Sequence, residues 1–295
     1  MIIDSHAHFE PALLNNDQLF VKMKLHGIDK TILISRITDP PVYKKADSVM
    51  GVQRKLMQWG WPRPLLRIMD NGFHTVPGQW NPWFRSLSGK PGLFKILLKP
   101  DNEQVAQVIA AYPDQLLGWL FINPKLEDWQ DEFNRWKSAP GMIGIKAHPF
   151  WHRYLITQLY PLAQKAREEQ LPLLVHLGFD CLKNVKKFCT DFPELTIIFA
   201  HAAKPFYQDL WPVIKSTPNK FIDLAGHHVD GQIVAQAVKA LGPERCLFGT
   251  DDPYGDEDYA LKLKSWIEQL NIQPSDKEYI YYKNILKIIN TKKFV

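Results

Sequence analysis

The chain has 295 residues, 45% of them hydrophobic and 23% charged, with a formal net charge of +5. That balance fits a globular protein with a full core and excludes a disordered or low-complexity chain. No apolar stretch is long enough to span a membrane, and the basic residues are scattered rather than gathered into a nucleic-acid patch. The first residues carry no basic leader, and the three cysteines show no CxxC spacing, so the sequence reads as that of a cytoplasmic protein with reduced thiols.

In chain order, apolar runs without polar alternation predict strands at 2–5, 31–35, 116–122, 143–147, 173–177, 196–200, 221–224 and 246–249. Runs of this kind belong to parallel strands covered on both faces. Amphipathic stretches predict helices at 42–58, 103–112, 153–169, 181–192, 233–241 and 259–270. From the fourth strand onward the repeat is about 25 residues, the length of a compact strand–helix unit. Eight such units predict an α/β fold, a (β/α)8 TIM barrel forming a single domain over residues 1–295. One connection breaks the rhythm: about 80 residues separate the second and third strands. Within it, residues 59–99 are rich in Trp, Pro and Gly and read as an ordered excursion with a short hairpin. Its tryptophans suit either a lid or a subunit contact, so a homo-oligomer is expected.

Chemistry-bearing residues gather where strands end. His6 and His8 close the first strand, and alternation puts them on one face, spaced to grip one metal ion. His176 ends the fifth strand, His201 the sixth and Asp251 the eighth. Ligands drawn from the carboxyl ends of separate strands are how a parallel barrel builds a catalytic site. An open doubly wound sheet would bind at one crevice and would not need them together. Asp251 can complete a metal shell or take a proton from water, whereas Asp252 faces the other way. Lys146 and His148 end the fourth strand. Lys146 can bridge two metals as a carbamate, contact an anionic substrate as an ammonium, or simply pair with a carboxylate. His148 can join it at a second metal or at the substrate, or cap the strand. Of the adjacent His227 and His228 at most one should face a pocket, and Asp230 reads as a helix N-cap. The sequence lacks a phosphate-binding loop, a dinucleotide fingerprint and a GxSxG elbow.

These residues lie in motifs that resemble the amidohydrolase superfamily, in particular its branch of barrel hydrolases and decarboxylases. The motifs are IIDSHAH, AAYPDQLLGWLFINP, GIKAHP, LLVHLG, IIFAHAA, RCLFGTDDP and YYKNILKII, running nearly end to end. The resemblance implies that His6, His8, His176 and Asp251 bind one divalent metal, zinc in most of this branch, and that His201 acts as acid or base beside it. In two-metal members His201 would bind a second ion and Lys146 would bridge the pair. The activity implied is hydrolysis of an amide, lactone or ester in a small anionic molecule. Asp251 takes the water's proton, and Arg67, Arg85, Lys95 or Lys146 holds the substrate's negative charge. Non-oxidative decarboxylation on the same ligands is the alternative. A barrel that binds metal without catalysis is a third, disfavoured because structural zinc sites are usually closed by Cys and His. No nucleic-acid or membrane partner is expected.

Overall fold

The computed structural model describes residues 1–39, 80–81, 94–178 and 180–289. The helix expected at 42–58, most of the 59–99 excursion with its tryptophans, and Arg67 and Arg85 lie outside the described residues. Eight parallel strands follow the chain in order: β1 (Ile3–Phe9), β2 (Lys30–Ser35), β3 (Leu116–Phe121), β4 (Met142–Ala147), β5 (Leu173–Val175), β6 (Ile197–Phe199), β7 (Lys220–Asp223) and β8 (Cys246–Leu247). Hydrogen bonds from the last strand to the first close the ring. Ser5 donates to Phe248 O (3.0 Å), Thr250 to His6 O (3.2 Å) and His8 to Asp252 O (2.6 Å). The fold is a (β/α)8 TIM barrel. Strand pairing of this kind removes every open edge.

Helices alternate with the strands: α1 (Asn16–His26), α2 (Asn102–Ala111), α3 (Trp129–Trp136), α4 (Tyr160–Glu168), α5 (Leu182–Asp191), α6 (Trp211–Ser216), α7 (Gly231–Leu241) and α8 (Tyr259–Glu268). Local signals fix several ends. Asn15 and Gln18 form a reciprocal capping box at the start of α1, and Gly27 ends it at φ 64°. Asp230 caps α7 by accepting the N–H of Ile233, as expected. The helix expected from 153 begins only at Tyr160. A left-handed Arg153 (φ 54°) and a 3-10 turn (Ile156–Leu159) occupy the first residues, and Pro161 sits in the first turn, where its missing N–H has no cost. Beside the barrel, Thr38–Asp39, Phe94–Ile96 and Trp80–Asn81 form a small antiparallel sheet, so a hairpin pairing does occur within the excursion.

Two buried clusters divide the core. The outer one joins alternate strand residues such as Leu33, Leu120 and Val175 to the inward faces of the helices. The inner one fills the barrel with Ile3, Ile32, Ile34, Trp119, Phe121, Leu174 and Ile198, and the terminal helix (Asn284–Ile289) packs Ile285 and Ile288 against it. One irregularity decides where the chemistry points. In β1 three steps from Asp4 to Ala7 match two steps on β2, from Thr31 to Leu33. The extra residue reverses the alternation. Ile3 faces inward, Ala7 joins the outer cluster, and His6 and His8 therefore face the barrel axis.

At the opposite end, Lys220 at the start of β7 is fully buried. Its ammonium donates to Phe192 O (2.9 Å), Leu195 O (2.8 Å) and Pro218 O (3.1 Å). All three cysteines are unpaired. Among the described residues no helix is long and apolar enough to cross a membrane.

Candidate metal centre

A cavity opens at the carboxyl ends of the strands, lined by His6, His8, His148, His176, His201 and Asp251, with Ile37, Trp151 and Tyr254 as apolar walls. It gathers the predicted ligands His6, His8, His176 and Asp251 from three strands. His6 Nε2 lies 3.6 Å and His8 Nε2 3.5 Å from Asp251 Oδ1. These separations exceed a normal hydrogen bond, but match donors that share one ion. Two ligands each ~2.1 Å from a tetrahedral metal stand ~3.4 Å apart. The three side chains are buried together and form a group that could hold a metal.

The other ring nitrogens establish which face each imidazole presents. His6 Nδ1 meets Asp223 Oδ2 at 2.8 Å, His8 Nδ1 meets Ser35 O at 3.2 Å, His176 Nδ1 meets Leu177 O at 3.0 Å and His201 Nδ1 meets Ala225 O at 2.8 Å. Oxygen acceptors of this kind require the proton on Nδ1, so in all four rings Nε2 is left as a lone pair. Second partners that fix tautomers are what orient histidine ligands at metal sites. A second cluster, His6, His201 and Asp223, has its donors within one ion's reach. There, however, the 2.8 Å His6–Asp223 contact and the bond from His201 N–H to Asp223 Oδ1 (2.8 Å) already occupy the carboxylate.

Electrostatics agree with this division. Burial pushes His6, His8 and His176 below the ordinary histidine value, and pushes His201 to about 4. Burial alone would raise the Asp251 carboxyl, but His201, His8 and His6 around it hold it well below the usual carboxylate range. Neutral imidazoles around an ionised carboxylate are the protonation state that divalent metals need. Lys146 is fully buried, its pKa lowered by burial to about 8, with Nζ 3.3 Å from His6 Nε2.

Backbone strain marks the same place. His201, Ala202 and Ala203 all have left-handed φ (54°, 55°, 66°), as does Asp251 (63°). Consecutive left-handed residues cost roughly 1–2 kcal/mol each and persist where surrounding structure holds them. Here the turn carries His201 to Ala225 O and its N–H to Asp223. Gly226, at φ +72°, lies against Asp251, and a Cβ there would stand 2.7 Å from Oδ2. No other residue type fits.

The structure also corrects and extends the sequence reading. His227 and His228 both line the cavity, because they sit in a turn where strand alternation does not apply. His148 caps a one-turn helix (Pro149–His152), its Nδ1 accepting the N–H of Trp151 (3.1 Å). Asp252 faces away, paired with Lys22 at 2.8 Å. Lys95 shows no contact with the cavity among the described residues. Asp223, Lys204 and Tyr254 went unread. A lone Asp inside the apolar run FID was the available signal for the first.

A family model described as amidohydrolase matches residues 89–290. The chain belongs to the amidohydrolase family. Among solved structures, this amidohydrolase is similar to an uncharacterised TIM-barrel protein from Bordetella bronchiseptica (16% identity, 97% of each chain, TM-score 0.65). It is also similar to a dihydroxybenzoic acid decarboxylase from Polaromonas with bound manganese (16% identity, 98% of this chain and 96% of that one, TM-score 0.59). A third is a probable 2-pyrone-4,6-dicarboxylic acid hydrolase from Acinetobacter baumannii with citric acid bound (12% identity, 98% of each chain, TM-score 0.58). At these identities the likeness shows the shared barrel. Among curated proteins no match is found.

Proposed function

We propose that this amidohydrolase hydrolyses an amide, lactone or ester bond in a small anionic molecule, holding one divalent metal ion on His6, His8, His176 and Asp251. The observation that carries the reading is the pair of Nε2 lone pairs, on His6 and His8, beside one ionised carboxylate, Asp251, at the mouth of the barrel, with His176 lining the same cavity. Three imidazoles and a carboxylate suit zinc, since nitrogen-rich sets favour it over oxygen-seeking ions. When bound, the ion supplies Lewis acidity for a carbonyl and acidifies water. The chain's own residues supply the rest. Asp251, kept ionised, accepts the proton of the attacking water, and His201 Nε2 is a second acceptor within the same wall. As the C–N or C–O bond breaks, that proton passes to the leaving nitrogen or oxygen. Asp223 orients two rings at once, His6 through its side chain and His201 through its backbone. Lys146 carries charge toward the substrate or, as a carbamate, toward a second ion.

Decarboxylation is the second reading, favoured by the decarboxylases among the similar structures. It needs a group that delivers a proton to carbon. His201 and Asp251 are both held in their unprotonated forms, which favours hydrolysis. The test is elemental analysis of purified protein and of a His6→Ala, His8→Ala double variant, followed by assays with lactones and carboxylated aromatics in which CO2 release is recorded. About one zinc per chain, lost in the double variant, with ring opening and no CO2, is the expected result. Activity that survives removal of the metal would refute the proposal.

A further inference from the structure

The chain leaves β2 at the mouth of the cavity. Ser35, the last residue of β2, orients His8 by accepting from its Nδ1 at 3.2 Å. Just beyond it, Ile37 and Thr38 line the cavity in which the candidate ligands stand. One strand end thus holds a ligand in place and builds the wall beside it. That wall is fixed through its backbone. Thr38 pairs with Ile96 in the small antiparallel sheet, and Leu97 N–H donates to Ile37 O at 2.8 Å. The returning segment is anchored in turn by two buried side chains. His152 Nε2 donates to Leu97 O at 3.1 Å, and Asn123 Nδ2 donates to Leu98 O at 3.0 Å. The hydrogen bonds of this backbone go to the wall itself, which leaves side chains to meet a ligand.

Those side chains differ in what they can offer. Ile37 is apolar. Tyr254 stands edge-on to His8, with ring centroids 5.0 Å apart, and its hydroxyl donates to Glu10 Oε2 at 3.4 Å. Thr38 is 4% exposed, and its Oγ1 is buried without a hydrogen-bond partner among the described residues. A buried hydroxyl left unpaired destabilises a fold, so such a group calls for an explanation. Thr38 lies where a bound molecule supplies one. A hydroxyl both donates and accepts, so it suits a neutral oxygen, whereas a metal ion and the Lys146 ammonium are better matched to an anionic group.

We propose that Thr38 is a specificity residue, whose Oγ1 bonds a neutral hydroxyl or carbonyl oxygen of the substrate while the reacting group sits at the metal centre. This deepens the function proposed above and rests on it for a substrate held at the metal. The hydroxyl is unpaired in the free protein and paired in the complex, so its interaction energy is expressed in binding rather than in folding.

The test uses the full chain loaded with zinc, and calorimetry with benzoate and its 2-, 3- and 4-hydroxy derivatives as probes. At least one added hydroxyl should tighten binding roughly three- to tenfold, as one net hydrogen bond between neutral groups warrants. Thr38→Val, which keeps the shape and loses the hydroxyl, should abolish that gain and leave benzoate affinity as it is. Thr38→Ser should retain the gain. Thermal melting without any probe separates recognition from structure. Thr38→Val should melt no lower than the wild type, because Oγ1 gives up no bond within the protein. A hydroxyl gain that survives in Thr38→Val, no gain for any isomer, or a lower Tm in Thr38→Val would overturn the proposal. Elemental analysis keeps the two readings apart. Zinc retained without hydroxyl-dependent binding refutes the role of Thr38 alone, whereas protein that takes up no zinc refutes the metal centre and this inference with it.

Discussion

Asp223→Asn tests whether tautomer control makes the metal site. In the native structure one carboxylate oxygen, Oδ2, accepts from His6 Nδ1–H at 2.8 Å. The other, Oδ1, accepts two backbone N–H groups, from His201 at 2.8 Å and Ala225 at 3.1 Å. Asparagine keeps the shape but offers one acceptor and one donor. If its NH2 faced the two backbone N–H groups, both would be left buried and unpaired, at about 1–3 kcal/mol each. The oxygen therefore stays on the backbone side, and the NH2 meets His6 Nδ1. His6 must then move its proton to Nε2, which removes one of the two lone pairs beside Asp251. Loss of an orienting partner typically lowers metal affinity 10–100-fold, or about 1.4–2.7 kcal/mol. Titration against a competing chelator measures the affinity, ring 15N shifts report the His6 tautomer, and thermal melting reports the fold. A folded variant with native affinity would refute the argument that Asp223 sets the ligand face of His6.

Three further outcomes follow from the same geometry. Gly226→Ala should cost about 1–2 kcal/mol for its left-handed backbone and, by displacing Asp251, weaken metal retention more than a surface Gly→Ala change. Lys220→Met should lower Tm by several degrees without altering metal content, because two buried carbonyls at the far end of the barrel, Phe192 O and Leu195 O, lose their donor. Burial lowers His201 from 6.5 to about 4, so between those values the unfolded chain binds a proton that the native one does not. Stability of the chelator-treated protein should therefore fall as pH drops from 6.5 toward 4, and His201→Gln should flatten that slope in urea titrations at pH 7 and 5.

Much of this was legible in the sequence because a parallel barrel writes itself as apolar runs. All eight strands fall where those runs are, and the five strand-end residues His6, His8, His176, His201 and Asp251 meet in one cavity. Three helices were missed. In α1, exposed Val21 and Leu25 blur the apolar stripe that marks an amphipathic helix, while α3 and α6 are short. The site's supporting partners were harder to read. Asp223 acts across more than 200 residues on His6, a pairing that only closure of the ring creates. His228 was judged by strand alternation although it lies in a turn, and its link to Lys204 joins two loops that no local pattern connects.

The extra residue in β1 has a consequence for engineering. The extra step lets Ile3, His6 and His8 share the inner face although an even alternation from Ile3 would turn both histidines outward. Deleting Ser5 would restore two steps between Asp4 and Ala7 and leave all three residues facing inward. The first strand can thus be made regular by the loss of one codon without re-aiming its ligands, which offers a simpler template for placing paired histidines at the mouth of another barrel.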